Sequence, residues 1–322
     1  MHWTPYENDG GASSVPVLAG GLIWTFSTNY SGGVYFTSCD GSGTFNTYDT
    51  FDGTNPQAHS SPITDGSNVY AAFRTVYPHE YFATIDISTD AITVTSGGLF
   101  YPNGLVQCGD DLSVLLGASG NFQPPQAASF PLPSLSGGSN NTYGSEDGAF
   151  NQGIFDGTNV WTTFNDSDGI GWMYVVDPTT LDLIATYELD GDSVSNNQMG
   201  FDGRYIYVAY GGGGLGICVF DTVDLTFSTI GSGTRYYNCY YSSHLSKVVV
   251  SDTDTNVFTM PVGGGALTNI GNLQSITGDS ELDISGFCDG EATDTLWASC
   301  SGAFTWNIKY GPGYANNGQV LL

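Results

Sequence analysis

Apolar and polar positions alternate in short runs along the whole chain, and clusters of Gly, Ser, Thr, Asn and Asp separate the runs. A period of two predicts half-buried strands, and such clusters predict tight turns. No long stretch carries a helical period of apolar residues. One phrase recurs. FDGTNVWTTF (155–164) and FDGRYIYVAY (201–210) are near copies, and ITDGSNVYAAF (63–73) matches both. FCDGEATDTLWAS (287–299) matches with two extra turn residues. VLAGGLIWTF (17–26) keeps the strand without the Asp, QCGDDLSVLLGA (107–118) keeps an acidic turn, and SSHLSKVVVS (242–251) is the most degenerate copy. Each copy carries an anchor: Trp24, Tyr70, Leu115, Trp161, Tyr207, Val249 and Trp297. Successive anchors stand about 46 residues apart, so seven units account for the 322 residues.

A second pattern follows the phrase. YFATIDISTDAITVTS from Tyr81, GWMYVVDPTTLDLIATYE from Gly171 and LGICVFDTVDLTFSTI from Leu215 each read as a strand ending in Asp, a turn and another alternating strand. The stretches from Gly33 and Asn256 are weaker versions. The unit is therefore two inner strands around an Asp-Gly turn, then two outer strands. One four-stranded sheet cannot bury both faces, whereas radial stacking covers every face except the rims. The expected architecture is all-β: a single seven-bladed β-propeller domain over 1–322, with four antiparallel strands per blade. Its blades fall near 13–57, 58–102, 103–148, 149–194, 195–234, 235–281 and 282–322. The anchors are expected to fill the wedges between blades, and one terminus is expected to supply a closing strand. Residues 120–144, rich in Pro, predict the least regular, loop-like blade.

With these motifs the chain resembles the seven-bladed β-propellers whose blades carry an Asp-Gly turn before a "[IV]-[YW]" strand and then "[IV]-D-x-x-T", the DG or YVTN-like repeat type. It has no WD or kelch signature and does not match a sialidase Asp-box. The resemblance implies the fold, because propellers host many activities.

Charge narrows the partners. The net charge of −27 arises from 32 acidic residues against five bases, Arg74, Arg204, Arg235, Lys247 and Lys309. Such a surface cannot neutralise a phosphate backbone, which argues against nucleic acid, and it has no attraction for anionic lipid. No apolar span suits a transmembrane helix, and the N-terminus lacks the pattern of a secretory signal. Synthesis in a cytoplasm without general export is the expectation. The six cysteines are widely spaced and read as free thiols. A Cys288–Cys300 bond is not expected, because a turn centred near Glu291 sets Cys288 opposite Thr295 and Cys300 opposite Asp283.

Candidate chemistry is sparse. The Asp of each Asp-Gly turn reads as a turn former. The arginines lie at different ends of their blades, and the four histidines are scattered. DTDTN, with Asp252, Asp254 and Asn256, and NDSDG at 165–169 place oxygen donors at alternate positions, a spacing that suits Ca2+. Asn151-Gln152 and Asn197-Gln198 stand at equivalent places before two inner strands, with Ser60-Ser61 at the same place in the second blade. These amides are expected to ring the axial channel. Together with Tyr236 and Tyr237 they resemble a sugar-binding surface, where rings stack on sugars and amides bond hydroxyls.

A base-poor surface rich in Gly, Ser, Thr, Asn and Tyr resembles the virion surface proteins of phages and other viruses. The expected function is a non-enzymatic propeller of a capsid, tail or spike, made in host cytoplasm, that joins other virion proteins and attaches to a host-surface glycan. The alternatives are a glycan hydrolase or lyase using acids such as Glu281 and Asp283, and a cytoplasmic scaffold propeller that joins other proteins.

Overall fold

The computed structural model describes residues 2–8, 14–28, 33–40, 42, 44–51, 58–74, 80–96, 101–109, 112–118, 124–135, 138–144, 150–189, 193–194, 198–211, 216–231, 233–301 and 305–311. They form seven antiparallel sheets, the blades of a β-propeller. From the axis outward, blade 1 comprises Val17–Ala19, Leu22–Thr28, Val34–Cys39 and Phe45–Phe51. Blade 2 has an innermost strand in two pieces, Ala58–His59 and Ile63–Thr64, both paired with Asn68–Arg74, then Glu80–Asp86 and Ile92–Ser96. Blade 3 comprises Tyr101–Gln107, Leu112–Ala118, Pro125–Pro131 and Ser139–Thr142. Blade 4 comprises Gly153–Phe155, Val160–Asn165, Gly171–Val176 and Leu183–Glu188. Blade 5 comprises Gly200–Phe201, Tyr205–Ala209, Ile217–Asp221 and Thr226–Ile230. Blade 6 comprises Tyr236–Ser242, Lys247–Asp252, Asn256–Met260 and Thr268–Asn272, followed by a single helical turn, Leu273–Thr277.

Blade 7 takes three strands from the end of the chain, Asp283–Asp289, Leu296–Ser301 and Thr305–Gly311, and its outermost strand from the beginning, His2–Asn8. Trp3 pairs with Tyr310 and Glu7 with Trp306. The closing strand is therefore N-terminal.

Antiparallel order fixes where the turns lie. The connections from first to second and from third to fourth strand share one end of the propeller, here the Asp-turn end. All other connections lie at the opposite end.

The seams hold the core. Trp24 packs in the seam of blades 1 and 2, Trp161 in that of blades 4 and 5, Tyr207 in that of blades 5 and 6, and Val249 in that of blades 6 and 7. Each anchor faces the next blade, and these four are at most 5% exposed. Blade 3 departs from this phase. Its residues in the seam with blade 4 are Val114 and Leu116, on either side of Leu115. Four residues separate the paired Thr64 and Val69 of blade 2, but five separate Gln107 and Ser113 of blade 3. One extra turn residue reverses which positions face which neighbour.

Two other expectations change. Blade 3 is fully four-stranded despite its prolines, because Pro125 and Pro131 stand at the ends of their strand, where a missing N–H costs least. Cys288 pairs with Trp297, two residues from its expected partner, and Cys300 with Ile284, one residue from its own, because a bulge intervenes between Ile284 and Gly286. The two thiols face opposite seams, Cys288 towards blade 1 and Cys300 towards blade 6. All six cysteines are free and buried.

Candidate functional site

The Asp-Gly phrase does two jobs with one carboxylate. In blade 2, Asp65 Oδ1 accepts the N–H groups of Ser67 and Asn68 at 2.8 and 2.7 Å. Its Oδ2 accepts the Tyr70 hydroxyl at 2.5 Å. Asp156 holds Thr158, Asn159 and the Trp161 indole in the same way, and Asp202 holds Arg204, Tyr205 and the Tyr207 hydroxyl. The turn is capped and the anchor aligned together. Burial alone would raise the Asp65 pKa, but the bonds from Tyr70, Asn68 and Ser67 outweigh it and hold the carboxyl low. Burial, and then the Asp65 partner, pushes the Tyr70 hydroxyl up. The phrase is architectural.

The channel amides are turned inward. Asn151, 2% exposed, donates to Thr163 Oγ1 at 3.0 Å. Gln152 donates to Ser61 Oγ at 2.6 Å, reaching past blade 3 to blade 2. Gln198 reaches past blade 6: its Nε2 donates to Phe287 O and its Oε1 accepts from Phe287 N, both at 2.8 Å. Gly286 makes room for this clasp, since a Cβ there would stand 2.7 Å from Val15 and 3.0 Å from Gln198 Oε1. Asn238, which the sequence reading passed over, joins the set by donating to Ser251 Oγ and Ile284 O. Asn197 lies outside the described residues. Tyr236 is 4% exposed and packs edge-on against Phe258 in the seam of blades 5 and 6, while Tyr237 is half-buried. The structure thus gathers Gln152 and Gln198 near the axis but sets Tyr236 in a seam.

The two oxygen-rich turns are also satisfied by the chain. Asp252 Oδ1 accepts from the N–H groups of Asp254 and Asn256, and Oδ2 from the Asn256 amide. Asp254 projects into solvent. Asp166 caps its own turn and accepts the Trp172 indole. Glu281 and Asp283 are exposed before and at the start of the inner strand of blade 7. Burial pushes the Cys39 and Cys108 thiols up to about 12, so they stay protonated at neutral pH.

The unexplained feature is on the rim. Among the described residues the exposed large apolar side chains are Leu183, Ile184, Val223, Leu225, Phe227 and Val262. All six lie on the turn between third and outermost strands, or on the outermost strand beyond it, in three successive blades, 4, 5 and 6. The outer turns of blades 2 to 5 share a build. The carbonyl of the Asp or Pro at the first position accepts the N–H of the fifth residue at 2.9 Å, and that residue is left-handed: Asp90, Leu135, Leu181 and Leu225. Leu135 and Leu181 use the awkward backbone to bury their side chains, to 4% and 1% exposure. Leu225 occupies the same place and is 51% exposed. Beside it, Arg204 grips Asp221 at 2.6 Å and Asp224 at 2.9 Å, and its guanidinium holds the Asp221 carboxyl down to about 2. The sequence held one signal for this patch: Val223 stands where blades 2 and 4 carry Ser88 and Thr179.

No protein-family model matches the chain, and no curated protein matches it. Solved structures do: 1365 chains match, so the architecture is too widely shared to choose an activity. A chain of the crystal structure of the mitotic checkpoint complex matches with a TM-score of 0.71 at 10% identity, covering 96% of this chain and 91% of that one. At that identity the likeness is one of fold.

Proposed function

We propose that the chain is a binding propeller that docks another protein on the outer rim of its Asp-turn end, at blades 4 to 6. The observation that carries this reading is that, among the described residues, the six exposed large apolar side chains are confined to three adjacent blades. A run of this kind on an otherwise polar rim is the ordinary mark of an interaction surface. Leu225 strengthens it, because a non-glycine residue in a left-handed conformation costs about 1–2 kcal/mol, and here the side chain stays half exposed where Leu135 and Leu181 are buried. The partner is basic around its apolar contact, since Asp182 stands beside Leu183 and the chain carries −27 overall. The likeness to a chain within a multiprotein complex fits such a role.

A photo-reactive amino acid at position 223 tests this in the full chain in its native setting. It is expected to give one major protein adduct, and the same group at Ser88, the matching place in blade 2, is expected to give none. Equal labelling from both positions, or none from position 223, would remove the proposal.

For the setting, we propose a virion surface, and the support is the composition: few bases and abundant Gly, Ser, Thr, Asn and Tyr. The chain is then expected in purified particles. Its absence from them would discard that setting and leave the docking surface standing.

A further inference from the structure

The seam between blades 7 and 1 departs from the repeat in three ways, and the departures meet. Blade 1 replaces the Asp-Gly turn with Gly20-Gly21, both left-handed, which leaves its lip without side chains. Blade 7 lengthens its own turn, and Asp289 does not hold the anchor there. It reaches instead to blade 6, accepting from Ser242 Oγ and from Ser243 N and Oγ. Third, Lys309, one of only five bases, lies on the third strand of blade 7, its ammonium 5.8 Å from the centre of the Trp297 ring. The result is a cleft of about 100 Å³ walled by Leu18, Ile23, Trp297 and Thr295. Lys309 and Glu291 both line it, the Glu291 carboxylate within 3.5 Å of where a Gly21 Cβ would stand. Lys309 and Glu291 share the cleft, and among the described residues no ion pair joins the two.

We infer that this cleft binds an α-carboxylate carried on a small aliphatic residue, either a free amino acid or the C-terminal residue of a peptide. The apolar wall suits an aliphatic side chain lying on Ile23 and Trp297. Lys309, stacked on the indole, takes the ligand's carboxylate as a charge-assisted hydrogen bond. Glu291 then faces the ligand's nitrogen and accepts from its ammonium or amide N–H. The same Glu291 turns away dianions such as phosphate, which a single lysine in a chain of −27 could not hold. This site is separate from the rim of blades 4 to 6.

Titration of the full chain with leucine, N-acetyl-leucine and leucinamide, followed by the Trp297 indole N–H resonance, tests the inference. Leucine or N-acetyl-leucine is expected to shift that resonance saturably, with leucinamide at least about tenfold weaker because its carboxylate is gone. Lys309→Met is expected to remove the preference for the carboxylate. Glu291→Gln, on an exposed turn, is expected to weaken leucine more than N-acetyl-leucine. Tighter binding of leucine identifies a free amino acid, and tighter binding of N-acetyl-leucine identifies a chain end. No saturable shift with either acid, an equal response to leucinamide, or an unchanged response in a folded Lys309→Met chain would overturn the assignment.

Discussion

Two leucines with one backbone conformation separate architecture from function. Leu181 and Leu225 are both left-handed fifth residues of an outer turn, with φ of 61° and 54°. Leu181 is buried, and its carbonyl accepts from the Tyr143 hydroxyl and the Asn141 amide of blade 3. Leu225 is half exposed. Asn is at home in this conformation, so the same substitution at both sites isolates the side chain. Leu181→Asn is expected to lower stability by about 2–3 kcal/mol through lost burial, and Leu225→Asn to cause no loss, because Asn relieves the backbone cost and little burial is given up, both measured by urea denaturation. A comparable loss at both sites would mean that Leu225 serves the fold. The Arg204–Asp221 pair sets an acid limit. The Asp221 carboxyl is depressed by its bonds from Arg204, so the pairing stabilises the fold above the ordinary carboxylate pKa of about 4 and fades as pH falls towards 2. Arg204→Gln is expected to lower the melting temperature at pH 7 and to leave it near that of the parent at pH 2.

At the scale of strands, the axial amides replace apolar packing where seven inner strands converge. Gln198 satisfies both backbone groups of Phe287 from two blades away. Gln198→Ala is expected to cost about 1–3 kcal/mol, the penalty for leaving buried polar groups unmade, read as a lower urea midpoint. An unchanged midpoint would show that water can take the place of the amide. The repeat itself was legible in the sequence because strand alternation and Asp-Gly turns are local signals, and both are written within ten residues of each anchor. The role of Gln152 and Gln198 was not, since their partners Ser61 and Phe287 are distant in the chain, and a polar residue at a channel looks the same whether it faces a ligand or a neighbouring strand. The phase of blade 3 was missed for a smaller reason, one turn residue that sets Val114 and Leu116 towards blade 4. The rim patch was hidden because one exposed apolar residue is ordinary, and only the alignment of three blades makes it a surface.

At the scale of the ring, blade 7 is the one sheet built from both ends of the chain. Trp3 and Tyr310 are neighbours in it. Removal of residues 1–8 is expected to lower the stability of the whole propeller rather than fray one edge, because it bares the third strand of blade 7 and unlocks the ring. Urea unfolding of the truncated chain should give a single transition at a lower midpoint, and a parent-like midpoint would rule out a locking role for His2–Asn8. The same arrangement sets a timetable for synthesis. His2–Asn8 leaves the ribosome long before its partner Thr305–Gly311, so its backbone donors and acceptors wait until the six intervening blades have followed. Contacts this remote form late and slowly, and an edge kept waiting is one that can pair with the wrong chain. A circular permutant that moves this segment directly behind Gly311 should therefore reach the native ring sooner and yield more soluble protein, with the finished architecture unchanged.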